Sequence, residues 1–151
     1  MGHKCLSIYL GMIVIFQMVI LIGTASDPYS GGFYFNPRFG IDLLLTENGL
    51  GKLPDLVQWL TVAALLFLAI ALFRNEKAVW WYVFAEGLMA LPTIVVFALV
   101  LRVNISPAHG FSVGELTIPA IVFVVCTVIP WSWAIMLLYP PRQNVVPKRA
   151  R

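Results

Sequence analysis

The stretch from Ala78 to Leu101 reads AVWWYVFAEGLMALPTIVVFALVL. It is apolar almost throughout, with one carboxylate, Glu86, and one proline, Pro92. As a helix rising ~1.5 Å per residue it covers about 36 Å, more than the ~30 Å hydrocarbon core of a bilayer. Three further runs have the same character, at about 6–24, 54–73 and 115–139. Of the 151 residues, 60% are hydrophobic and only 11% charged, whereas roughly a quarter of a soluble domain is charged. The fold class expected is therefore an all-α integral membrane protein. Its architecture is a four-transmembrane-helix antiparallel bundle with a long first extracytoplasmic loop. Residues 1–141 then form a single transmembrane domain, with no length left over for a separate soluble catalytic one.

In the first run Gln17 is the strongly polar interior residue. A signal peptide is the competing reading, with Lys4 as its basic region and Gly23 and Ala25 as small residues for cleavage. The apolar run exceeds the ~7–15 residues of a signal-peptide core, so it reads as a retained span. The outer loop, 26–53, opens on turn chemistry at Asp27-Pro28 and Gly31-Gly32. It continues through Phe33, Tyr34, Phe35 and Phe39 into an amphipathic turn at Ile41–Thr46, a composition that favours the headgroup layer.

Pro54 and Asp55 suit a helix start, because proline's missing N–H costs nothing there and an acid complements the helix dipole. The turn Arg74-Asn75-Glu76-Lys77 is too short to join anything but antiparallel neighbours. For the last span two starts compete: a capping box over Ser112–Glu115, and Thr117 ahead of Ile118-Pro119. Pro130 removes the helical bond to the Cys126 carbonyl and predicts a kink, as Pro92 does in the third span. The tail, 142–151, is basic and proline-containing, and is expected to be disordered and cytoplasmic.

Basic residues set the orientation. Lys4, Arg74, Lys77, Arg142, Lys148, Arg149 and Arg151 fall on one side, against Arg38, Lys52 and Arg102 on the other. The positive-inside rule then places both termini in the cytoplasm of a plasma or inner membrane. Trp80, Trp81, Trp131 and Trp133 gather toward the same face, as an aromatic belt would.

Glu86 is the candidate around which chemistry could form. It lies ~13 Å along the helix from Lys77, where a charged carboxylate costs several kcal/mol. It is expected to be protonated, hydrogen-bonded or facing internal water. Helical spacing puts Val79, Tyr82, Val83, Met89, Ala90 and Thr93 on its face, and Phe84, Leu88, Leu91, Val95 and Leu99 on the opposite, lipid-facing one. Gln17, Thr127 and Ser132 lie at similar depth by residue counting, completing a candidate polar site of Glu86, Tyr82, Thr93, Gln17, Thr127 and Ser132.

Other chemistries find little purchase. The histidines, His3 and His109, fall outside the spans, so haem ligation has no imidazole to use. His109 with Glu115 is short of a metal set. Cys5 and Cys126 form no paired motif. No basic stripe interleaved with aromatics points to nucleic acid. No cofactor is expected. The four-span plan is similar to that of claudin-like proteins, but the loop lacks their paired cysteines and Trp/Gly-Leu-Trp signature, so no family follows. Two readings of function remain. One is a non-enzymatic accessory, scaffold or homo-oligomeric module whose partners are the lipid bilayer and other membrane subunits or itself. The other is a small transporter or channel-like protein with Glu86 as a proton- or cation-sensitive site beside Pro92.

Overall fold

In hydrocarbon every backbone N–H and C=O must find its partner within the segment, so long apolar runs become helices. The computed structural model of the chain describes residues 2–26, 37, 53–103 and 117–139. Helix α1 covers Gly2–Ser26, α2 Leu53–Arg74 and α3 Ala78–Val103. The last span is α4, Thr117–Phe123, then a π-helical turn, Val124–Val128, then α5, Ile129–Leu138. Among the described residues, four helical stretches are long and apolar enough to cross a membrane: Gly2–Gly23, Leu56–Arg74, Ala78–Val95 and Thr117–Leu138.

The helices begin and end a little differently from the apolar runs. α1 starts at Gly2 rather than near Leu6, which puts His3 and Lys4 on the helix and corrects their placement in a preceding segment. Packing extends it: Gly2 lies against Leu137, and the Lys4 ammonium sits over the Phe73 ring, 5.6 Å from its centroid. The described helix of the last span begins at Thr117. The Ser112–Glu115 box, His109, the tail, and the segment between Ser26 and Leu53 apart from Pro37 lie outside the described residues.

Side-chain contacts fix the arrangement. α1 packs most heavily on α2, α2 on α3, α3 on α5, and α5 back on α1, closing a ring. Each neighbouring pair runs antiparallel. Ser7, early in α1, meets Ala69, late in α2. The turn Asn75–Lys77 reverses the chain between α2 and α3, with the Asn75 side-chain oxygen accepting from the Lys77 N–H at 2.9 Å. Trp80 stacks edge-on with Tyr139, and Phe97, near the other end of α3, meets Phe123. Tyr9 contacts Trp133.

The core is built from Leu6, Leu10, Leu65, Leu72 and Tyr82, all essentially without exposure. The outer faces are as apolar as the core. Phe67 and Trp81 are each 71% exposed, Phe84 68% and Met12 64%. Apolar surface on this scale suits lipid and not water.

Pro130 is accommodated by widening the helix rather than by a simple missing rung. The Ile129 N–H reaches back five residues to the Val124 carbonyl, giving the π turn. Besides removing the α-helical donor of the Cys126 carbonyl, as expected from sequence, Pro130 in this arrangement leaves the Val125 carbonyl without one. The α-helical donor for Val125 would be Ile129, now committed to Val124, and the π-helical donor would be residue 130, a proline without N–H. The Tyr9 hydroxyl donates to the Val125 carbonyl at 2.9 Å and fills the gap from α1. At Pro92, by contrast, α3 stays α-helical on both sides.

Candidate intramembrane polar site

The α3 face carrying Glu86 points into the bundle. Glu86 is 1% exposed, although it sits within a helix long and apolar enough to cross a membrane. Val79, Tyr82, Ala90 and Thr93 are buried with it, and Val83 and Met89 are half-buried. Phe84, Leu88, Leu91 and Val95 are exposed on the other side. The division follows from the helical period alone: residues three, four and seven apart share a face.

The other candidate residues come from three more elements. Gln17 on α1 and Thr127 in the π turn are buried, and Ser132 on α5 is half-buried. They do not share one depth, which corrects the estimate from residue counting. Trp131 packs against Gly87 and donates its indole N–H to the Val83 carbonyl at 2.9 Å, so Ser132 is level with Glu86. The pairing of Phe97 with Phe123 then sets Thr127 near the level of Thr93. Tyr9 is level with Trp133, and Gln17 lies two turns further along α1, near Thr93 as well. The result is two tiers about 10 Å apart along the bundle: Glu86 with Ser132, and Thr93 with Gln17 and Thr127. Counting inward from helix ends missed this because the helices start at unequal heights and the π turn inserts an extra residue.

Gln17 Nε2, Thr93 Oγ1 and Thr127 Oγ1 are buried with no hydrogen-bond partner among the described residues. All three belong to the second tier. Leaving such groups unpaired costs about 1–3 kcal/mol apiece in a dry interior.

Three polar residues that tie the helices together were not part of the candidate set. Ser7, buried, donates from Oγ to the Ala69 carbonyl at 2.6 Å and pins α1 to α2. Tyr9 and Trp131 do the same between α1 and the π turn, and between α5 and α3. Sequence offered a faint signal for Ser7, which begins a small-xxx-small spacing with Gly11. Only Ser7 of that pair is used within the chain, for Gly11 has open space where a side chain would stand. Trp131 and Trp133 are half-buried against other helices, Trp133 on Tyr9, while Trp80 and Trp81 are the exposed pair. An indole serves equally at a headgroup or as an interhelical donor, and its position in sequence does not distinguish the two.

Among the described residues no three of His, Cys, Asp and Glu come together as a metal set. Cys5 is exposed and Cys126 buried, and neither is in a disulfide. No family model matches the chain, and no curated protein or solved structure matches it either.

Proposed function

We propose that the chain is a non-enzymatic four-span membrane module, an accessory or scaffold subunit or a homo-oligomer, acting by helix packing. Both termini lie in the cytoplasm of a plasma or inner membrane. The observation that carries this reading is the inward turn of Glu86 against apolar outer faces on all four spans. Polar chemistry is spent on holding the bundle together, and the outside offers lipids and other membrane helices a surface for packing. The orientation draws support from Lys4, Arg74 and Lys77 gathering at one end.

A second reading rests on the tier of Gln17, Thr93 and Thr127. Buried polar atoms without a partner among the described residues, beside a mid-helix proline and about 10 Å along the bundle from a carboxylate, are what a path for protons or cations needs.

Reconstitution separates the two. Full-length protein and its Glu86→Gln variant are placed in sealed vesicles carrying a pH-sensitive dye, and crosslinked in parallel in native membranes. The packing reading expects discrete crosslinked assemblies from both proteins and no proton or cation flux above that of empty vesicles. Flux that Glu86→Gln abolishes, with crosslinking yielding monomer alone, overturns it in favour of transport.

A further inference from the structure

At the end of the bundle where α2 turns into α3, an open groove of about 490 Å³ runs between the two helices. Its floor comes from Phe67 and Ile70 on α2 and Trp81 on α3, and its rim from Arg74, Asn75 and Lys77. On α2 the spacing 67, 70, 74 is one helical face, so the apolar stripe runs about 10 Å along the span and ends at a guanidinium. Phe67 and Trp81 are the two most exposed large apolar residues described, and Arg74 and Lys77 are exposed beside them.

From this juxtaposition we propose that the groove is a binding site for an anionic phospholipid. One acyl chain lies on Phe67 and Ile70 against the Trp81 ring, and the phosphate is held between Arg74 and Lys77. This rests on the reading above that the chain spans a bilayer.

Three features favour a lipid over other occupants. The groove changes from apolar to cationic along the membrane normal, in the order acyl chain, glycerol and phosphate present themselves. A tryptophan stands at the boundary, where indoles prefer the glycerol level. The rim also supplies a neutral donor: the oxygen of the exposed Asn75 side chain accepts from the Lys77 N–H, which leaves its amide NH₂ to donate. Neither Arg74 nor Lys77 is in an ion pair among the described residues. Glu76 shares the turn and is exposed but does not line the groove, so the rim keeps its positive sign. Arginine offers a fork for two phosphate oxygens, and lysine adds a point charge.

The test uses lipid-selective quenching of tryptophan. Full-length protein is reconstituted in phosphatidylcholine vesicles with a minor fraction of phosphatidylglycerol, brominated in the acyl chains of one lipid or the other. Two basic side chains at the membrane surface, partly screened by salt, predict a preference for the anionic lipid of roughly five- to thirtyfold. The Trp81→Phe variant should lose the lipid-selective part of the quenching, and the double variant Arg74→Gln, Lys77→Gln should bring the preference to about unity. Equal quenching by both lipids, or a preference that survives the double variant, overturns the proposal. So does loss of the preference on adding inorganic phosphate, which marks a site for a free anion. Protein that fails to float with either vesicle overturns the membrane reading itself, whereas protein that floats without preference overturns this inference alone.

Discussion

Tyr9→Phe removes one oxygen atom and leaves the Val125 carbonyl without its donor from α1. The ring stays, and with it the edge-on contact to Trp133 at 6.4 Å between centroids. Interhelical hydrogen bonds in membrane proteins are worth about 0.6 kcal/mol on average and up to ~1.7. A carbonyl left unpaired in an apolar site costs about 1–3 kcal/mol. Val125 has no intrahelical substitute because residue 130 is proline, so the loss should fall in the overlap of those ranges, ~1–1.5 kcal/mol. The carbonyl's isolation is what sets the size, and that can be tested separately. Pro130→Ala restores an N–H at residue 130 and gives the Val125 carbonyl a donor in its own helix. In that background Tyr9→Phe should cost less than about 0.5 kcal/mol, a coupling of roughly 1 kcal/mol across the double-mutant cycle. Any packing defect from trimming the buried proline cancels within the cycle. Stability is read from reversible unfolding in mixed micelles titrated with dodecyl sulfate, followed by far-ultraviolet circular dichroism. An equal cost for Tyr9→Phe in both backgrounds refutes the reasoning, because the hydroxyl would then be acting independently of the broken rung.

Two further substitutions probe the interior with the same titration. Ser7→Ala deletes the 2.6 Å bond to Ala69 at the most extensive helix contact and should destabilise by about 0.5–1 kcal/mol; no measurable change would mean the short contact carries no net energy. Thr93→Val replaces a buried hydroxyl that has no partner among the described residues by a methyl of similar size, and should be neutral or stabilising by up to ~1 kcal/mol. A loss above about 1 kcal/mol would show that the hydroxyl is bonded in the folded protein, and would strengthen the transport reading.

Much of this protein is dictated by its solvent. Apolar runs of span length, separated by turns and charges, leave the backbone little choice but helix, and the period of that helix alone turns Glu86 inward and Phe84 and Leu88 outward. Those features follow from sequence because they depend on spacing within one segment. Relative height does not, since it depends on how one helix slides along another. Only the packed structure put Ser132 level with Glu86 and set Gln17, Thr93 and Thr127 at a second height. The same holds for Pro130: its missing N–H is written in the chain, but that the Val125 carbonyl also loses its helical donor depends on where the helix widens. That Tyr9, 116 positions distant, answers it depends on α1 and the last span lying side by side. Local periodicity selects the face of a residue, and tertiary register selects its partners.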